Sequence, residues 1–77
     1  MNIKYFGRIA EITKRNSEVL TDTGITTVAQ LQSYLYDLYP KLKDATFNFA
    51  VNQKIATLET SLTQENEIAV LPPFAGG

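Results

Sequence analysis

Apolar and polar residues alternate at the start of the chain and again after its middle. Met1, Ile3 and Tyr5 are separated by polar residues, and residues 47–51 repeat the same period of two. A period of two is typical of a strand that buries one of its faces. Residues 67–71 are mostly apolar, which predicts a strand in the centre of a sheet.

A longer period, close to that of an α-helix, follows Thr27. Thr27 and Gln30 have the spacing of a capping box, in which side chains satisfy amides of the first turn. Pro40 predicts that the helix ends near Tyr39, because proline disfavours helical geometry in the residue before it. The apolar face of this helix, which we expect to pack on the sheet, consists of Val28, Leu31, Leu35, Leu38 and Leu42. Three helix residues are predicted to pack half-buried, with contact to a partner as the alternative: Tyr34, Tyr36 and Tyr39.

Shorter segments complete the pattern. Residues 8–16 predict either a short helical turn or an irregular crossing, and residues 18–21 predict a strand that forms a hairpin with the first. The sequence predicts a turn at residues 52–53 and a short return strand at residues 54–57. It predicts a further turn at residues 58–62, which closes one edge of the core. The order strand, strand, helix, strand, short strand, strand predicts an α+β fold with one main helix packed on one face of the sheet.

Composition narrows the classes of function. The 77 residues are enough for a single domain with a small core, from which we expect residues 72–77 to protrude as a tail. The chain has no Cys and no His, which excludes disulfides, zinc fingers, thiol nucleophiles and imidazole chemistry. Seven basic and eight acidic residues give a net charge of -1. The basic residues are scattered, so we expect no nucleic-acid partner.

Hydropathy gives an expectation about location. No apolar run in the sequence approaches the roughly 20 residues that span a bilayer. The first residues lack the continuous apolar core of a signal peptide. We therefore expect a cytoplasmic protein without a membrane partner.

The last six residues form the most distinctive segment. Pro72-Pro73 is stiff and extended, and Phe74 adds one large apolar side chain. Ala75-Gly76-Gly77 has almost no side-chain bulk, so it could pass through a narrow channel. A terminal carboxylate becomes a good electrophile once ATP converts it to an acyl-adenylate, from which a sulfur donor can displace AMP and leave a thiocarboxylate. The alternative is that Gly-Gly is an ordinary frayed terminus.

These residues match a known pattern. The ending Pro72-Pro73-Phe74-Ala75-Gly76-Gly77 resembles that of the small, sulfur-carrying subunit of molybdopterin synthase, in which a strand is followed by Pro-Pro-x-x-Gly-Gly. Residues 5–11 look like that family's first strand and following turn, Thr27-Val28-x-x-Leu31 resembles its helix start, and residues 50–53 resemble its Val-Asn turn. The similarity covers essentially the whole chain. One departure is Glu65-Asn66, where the family usually has Gly-Asp before the last strand.

The resemblance implies a ubiquitin-like β-grasp fold and a sulfur-carrier function. A ubiquitin-activating-type adenylyltransferase would use ATP and magnesium to adenylate Gly77, and a cysteine desulfurase relay would supply the sulfur. The thiocarboxylate would enter the large subunit of molybdopterin synthase, within a heterotetramer, and give its sulfur to a cyclic pyranopterin. The chain itself would bind no cofactor and no metal, and the catalytic lysines would belong to the large subunit.

The predicted site residues fall into three groups by role. They are Gly77 as the site of the acyl-adenylate and thiocarboxylate, Gly76 and Ala75 for threading, and Leu71, Pro72, Pro73 and Phe74 for partner binding. For Phe74, an equal alternative is that the ring folds back on its own core.

Three other functions remain open at this point. A sulfur carrier for thiazole (thiamine) biosynthesis, transfer-RNA thiolation or cysteine synthesis would use the same chemistry in another pathway. A ubiquitin-like modifier would join the same adenylate to lysines of target proteins. A plain binding module on this scaffold would need no tail chemistry, since fold alone does not give function.

Overall fold

In the computed structural model, which describes residues 1–21 and 23–73, five strands form one mixed sheet. The strands are β1 (Asn2–Tyr5), β2 (Ser17–Val19), β3 (Asn48–Val51), β4 (Lys54–Ile55) and β5 (Glu67–Leu71). They are connected by α1 (Gly7–Thr13), α2 (Val28–Leu38) and a 3-10 helix (Pro40–Asp44). No helix in the described ranges is long and apolar enough to cross a membrane.

The sheet has the order β2-β1-β5-β3-β4, so β5 is the central strand, as its apolar sequence predicted. β1 and β5 run parallel, whereas the other neighbouring strands pair antiparallel. Ile3 pairs with Ile68 and Tyr5 with Val70, so these four side chains point to the same face. All four are buried in one core cluster with Leu31 and Leu35 of α2.

The segment after β1 is helical, which decides between the two alternatives left by its sequence. α1 buries Ile9 and Thr13, and it ends at Lys14 in the left-handed conformation, with φ 59°. β2 then pairs antiparallel with β1, so the predicted hairpin is confirmed. The strand covers Ser17–Val19, slightly earlier than the predicted 18–21. Leu20 follows it, still exchanges backbone hydrogen bonds with Met1, and buries its side chain in the core.

The start of α2 agrees with the capping prediction. The Gln30 amide donates to the Thr27 hydroxyl oxygen at 3.2 Å. The Gln30 side-chain oxygen accepts from the Thr26 amide at 2.7 Å, one residue earlier than a standard capping box. The two side chains together therefore satisfy amides on both sides of the helix start.

The predicted apolar face of α2 is wrong at one position. Val28, Leu31 and Leu35 are fully buried, but Leu38 is 47% exposed. The helix ends at Leu38, and Pro40 begins a 3-10 helix that packs back against α2. Leu42 lies on the 3-10 helix and is fully buried. It therefore fills the core at this end, where Leu38 does not.

The β3–β4 hairpin turns at Asn52 and Gln53, as predicted, and both residues have positive φ, 49° and 72°. Two consecutive positive φ values are typical of a type I′ turn, which matches the twist of a hairpin. The predicted return strand, 54–57, is shorter and includes only Lys54–Ile55. Ala56 instead turns inward and packs against the core.

The segment between β4 and β5 closes one edge of the core. Leu62 is buried, whereas Leu58 is 48% exposed, so Leu62 alone fills the predicted role of an apolar plug. Asn66 builds the turn before β5: its side-chain oxygen accepts from the Thr63 amide at 2.8 Å. The Asn66 side chain thus closes the turn at the position where this chain has Glu65-Asn66 in place of the Gly-Asp pair.

Half-burial of the three helix tyrosines is confirmed. All of them pack against the edge of the core cluster: Tyr34, Tyr36 and Tyr39. Two make edge-on ring contacts, Tyr36 with Phe47 at 6.3 Å and Tyr39 with Tyr5 at 6.1 Å between ring centroids. Their main role is therefore packing.

Candidate functional site

The sequence-predicted site begins at the end of the central strand. Leu71 is the last residue of β5 and is half-buried, as is Pro72, whereas Pro73 is exposed. We call residues 71–73 the tail root. The other predicted site residues lie outside the described residues: Phe74, Ala75, Gly76 and Gly77.

The tail root leaves from a firmly held strand. Leu71 pairs with Asn48 of β3 on one side. On the other side, the Phe6 amide donates to the Val70 carbonyl at 3.2 Å. Both neighbours therefore hold the backbone until the residue before Pro72. Neither Pro72 nor Pro73 has an amide hydrogen, so the sheet cannot continue beyond this point.

Pro72 lies directly against the first residue of α1. A Cβ atom placed on Gly7 would be 2.9 Å from Cγ of Pro72. Beside this contact is a shallow cavity of about 270 Å³, between α1, the 3-10 helix and the tail root. Its lining combines apolar atoms with the guanidinium of Arg8 and the carboxylate of Asp44.

One face of the sheet is left uncovered by the helices. Because Ile3 and Ile68 point into the core, the alternate residues Lys4 and Ala69 point to the opposite face. A salt bridge of 2.9 Å between Lys4 and Glu67 crosses this face, and both side chains are more than half exposed. We call this the open face, and its apolar residues are Phe6, Val19, Ala50, Ile55, Ala69 and Leu71.

The open face is the part of the candidate site that the sequence analysis missed. Phe6 is 44% exposed, Ile55 58% and Val19 67%. The available signal was Phe6 itself: it follows the inward-facing Tyr5 directly, so a strand must place these two aromatic rings on opposite faces. Leu71 connects the open face to the tail root, so the two form one continuous surface.

A second polar feature lies on the helix-covered face of the sheet, where Tyr5 ends β1. The Tyr5 hydroxyl donates to Glu18 at 2.5 Å, and the Tyr39 hydroxyl donates to the same carboxylate oxygen at 2.7 Å. Burial, reinforced by the hydrogen bond and the negative charge of Glu18, raises the pKa of Tyr5 well above its usual range. The pKa of Tyr39 is raised for the same reasons. This cluster ties β1, β2 and the end of α2 together.

The side chains of the described residues provide little catalytic chemistry. Within residues 1–21 and 23–73, no three acidic side chains are grouped as metal ligands. The tail root is apolar, with Arg8 and Asp44 beside it, whereas the open face combines apolar residues with the salt bridge between Lys4 and Glu67. An exposed surface with apolar residues of this kind is suited to contact with another molecule.

Comparison with known families gives one match over nearly the whole chain. The model of the ThiS family matches residues 3–77. At the sequence level, the chain is 38% identical over 81 residues to the molybdopterin synthase sulfur carrier subunit of Mycobacterium tuberculosis. That alignment covers 100% of this chain and 96% of the relative.

Solved structures with the same fold include two functional classes by name. A putative molybdopterin converting factor subunit 1 from Pyrococcus furiosus has a TM-score of 0.84 at 23% identity, with 95% of each chain covered. Small archaeal modifier protein 1 of Haloferax volcanii has a TM-score of 0.81 at 23% identity, with 96% of this chain and 97% of that chain covered. These likenesses confirm the predicted β-grasp fold.

A third similar structure is a complex. It contains subunits 1 and 2 of the molybdopterin-converting factor from Helicobacter pylori, and the matching chain has a TM-score of 0.70 at 23% identity. The match covers 99% of this chain and 96% of that chain.

Proposed function

The chain belongs to the ThiS family, and we propose that it is the sulfur-carrying small subunit of a molybdopterin synthase. The observation that carries this proposal is the full-length similarity, at 38% identity, to a relative that bears that name. The tail root supports it, because β5 is held on both sides up to Leu71 and two prolines then direct the chain away.

The proposed chemistry takes place at the carboxylate of Gly77. A carboxylate oxygen attacks the α-phosphorus of ATP, pyrophosphate leaves, and an acyl-adenylate forms. A sulfur nucleophile then attacks the carbonyl carbon, the bond to AMP breaks, and a thiocarboxylate remains. Ala75 and Gly76 would pass through the narrow channel of the activating enzyme, which would also hold the ATP and magnesium. Because charging consumes ATP, we propose the cytoplasm as the compartment.

The proposed receiver of the sulfur is the large subunit of molybdopterin synthase, in a heterotetramer. The open face supports a docking role, since Phe6 and Ile55 expose apolar surface that no residue in 1–21 or 23–73 covers. Leu71, Pro72, Pro73 and Phe74 would continue this contact along the tail. A pyranopterin bound by the large subunit would then receive sulfur from Gly77.

Two alternatives use the same adenylate. The family also includes carriers for thiazole biosynthesis, and a carrier of that kind would transfer sulfur to another acceptor. A modifier would instead form an isopeptide bond with a lysine of a target protein, and the modifier of H. volcanii has the same fold. The experiment below separates all three.

The first test is the intact mass of the chain after incubation with ATP, Mg²⁺, sulfide and an activating enzyme of the ubiquitin-activating type. We expect a mass increase that matches replacement of one oxygen by sulfur, located at Gly77. Addition of a molybdopterin synthase large subunit and the cyclic pyranopterin should return the mass to its original value.

The matched control is the chain without Gly77. We expect this variant to remain folded by circular dichroism, because β5 and the core end before the tail, and to stay uncharged. If the charged chain gave up its sulfur only to a thiazole acceptor, the result would favour the thiamine pathway. Formation of protein adducts would favour the modifier. A full-length chain that is never charged would contradict the carrier proposal.

A further inference from the structure

Gly7 and Pro72 touch where α1 begins and the central strand ends. Gly7 has a φ of +54°, and the position of its missing Cβ lies 2.9 Å from Cγ and 3.7 Å from Cδ of Pro72. Carbon side chains essentially never approach other atoms to below 3.0 Å. Any larger residue at position 7 must therefore displace the proline ring or the start of α1.

The surroundings of this contact leave little freedom for adjustment. The Phe6 amide is bonded to the Val70 carbonyl at 3.2 Å, so the backbone on each side of the contact is fixed. Just after Gly7, Ile9 is 1% exposed and anchors α1 in the core. The proline ring also locks its own φ. The least constrained response to a side chain at position 7 is a movement of Pro72, which changes the direction of Pro73 and the residues beyond.

We infer that Gly7 is a positioning residue for the tail: its missing side chain seats Pro72 and thereby sets the direction of Pro73, from which the chain continues to Gly77. The consequence for charging rests on the proposed function. An activating enzyme that docks on the open face must receive the Gly77 carboxylate at a fixed distance from ATP. A change of direction at Pro72 would misplace that carboxylate while the docking surface stays intact.

A second explanation for glycine at position 7 is its backbone conformation alone. Positive φ disfavours residues with a Cβ wherever it occurs. Gly24 separates the two explanations, because its φ is +73° but no atom lies within 4 Å of its missing Cβ. Gly24→Ala therefore carries the conformational cost without the steric contact.

The experiment compares Gly7→Ala, Gly24→Ala, Pro72→Ala and the double variant Gly7→Ala/Pro72→Ala. Nuclear Overhauser contacts between residue 7 and the residue 72 side chain, with carbon shifts of Pro73, report the tail root. Charging is followed by intact mass with ATP, Mg²⁺, sulfide and the activating enzyme, at a temperature where every variant is folded by circular dichroism.

We expect Gly7→Ala to shift the Pro73 signals and to lower kcat/KM for charging about tenfold or more, because small misplacements of a reacting group are costly. Gly24→Ala should charge at the wild-type rate. The double variant should regain the rate of Pro72→Ala alone, since alanine at position 72 removes both ring atoms near the new Cβ.

Three results would overturn the inference. Unchanged Pro73 signals in Gly7→Ala would show that α1 moves instead of the tail root. If Gly7→Ala and Gly24→Ala lowered the charging rate equally, and the double variant did not recover, glycine at position 7 would be needed only for its backbone conformation. Normal charging of Gly7→Ala would remove its positioning role while the carrier function stands, whereas a wild-type chain that is never charged would overturn both.

Discussion

The two faces of the sheet both carry apolar residues, but they differ in what covers them. On one face, Ile68 and Val70 of β5 are buried in a cluster with Leu31 and Leu35 of α2. On the other face, Phe6 and Ile55 remain 44% and 58% exposed. The first face supplies the burial that stabilises the fold, whereas the second exposes apolar surface, as expected where a partner binds. Stability and partner binding should therefore respond to different substitutions.

The largest effect on stability is expected on the covered face. Leu35→Ala should lower the free energy of unfolding by about 2–5 kcal/mol, because the fully buried side chain leaves a cavity. Leu38→Ala is the control on the same helix: with Leu38 47% exposed, we expect a change within about 0.5 kcal/mol. Urea unfolding followed by circular dichroism measures both, and equal losses would contradict the exposed position of Leu38.

The largest effect on binding is expected on the open face. Phe6→Ala should weaken binding to the large subunit by about 2 kcal/mol, roughly thirtyfold in Kd, since exposed aromatic residues are common binding hot spots. Leu58→Ala is the control, because Leu58 is 48% exposed but lies in the segment between β4 and β5. Titration calorimetry measures the affinities. Similar losses for the two variants would show that the open face is not the docking surface.

An alkaline titration tests the polar cluster at the margin of the covered face. Folding raises the pKa of Tyr5 and Tyr39 above the ordinary value of 10.0. The folded state therefore holds these protons longer, so the stability they provide is present below about pH 10 and is lost as the pH rises further. One such group changes the free energy of unfolding by at most about 1.4 kcal/mol per pH unit.

Tyr39→Phe should reduce this alkaline loss, because one of the two phenols that titrate against Glu18 is gone. Tyr36→Phe is the control, since that ring packs on Phe47. Urea unfolding at several pH values between about 9 and 11.5 supplies the slopes around the phenol pKa. If the unfolding free energy changed with pH at the same slope in wild type and Tyr39→Phe, Tyr39 would not contribute to the alkaline loss.

The smallest effect is expected at the β3–β4 turn, beside the open face. Gln53→Gly should stabilise the fold by about 0.5–1 kcal/mol, because glycine accepts positive φ without a steric cost. Gln53→Ala keeps the Cβ and should give no gain. Melting temperatures measure the change. Because Phe6 and Ile55 are untouched, the affinity for the partner should stay constant in both variants.

Local sequence patterns predicted most of the fold. Alternation identified β1, a continuous apolar run placed β5 at the centre, and Thr27 with Gln30 located the start of α2. These signals are reliable because each depends on neighbouring residues alone. Leu38 was assigned wrongly because it continues the helical period, and only the packing of the 3-10 helix against α2 shows that Leu42 takes the buried place.

The candidate site was predictable only in part, for a similar reason. The sequence indicated the tail through its unusual composition, and Leu71, Pro72 and Pro73 lie together at the end of the central strand. Their role in binding stays a prediction. The open face could not be predicted from one segment, because only the pairing of four strands places Phe6 and Ile55 on the same face. The contact between Gly7 and Pro72 likewise joins distant parts of the sequence.

The parallel pairing of β1 with β5 has a consequence for how the protein is made. The strand at residues 2–5 finds its neighbour only when residues 67–71 are available, and β3 also needs β5 beside it. Pairings between distant segments form slowly, since a long loop must close first. A nascent chain interrupted before residue 67 lacks the middle of its sheet and cannot reach the native state. Chains released from the ribosome before residue 67 would thus be open to proteolysis. Only translation past β5 would yield folded protein.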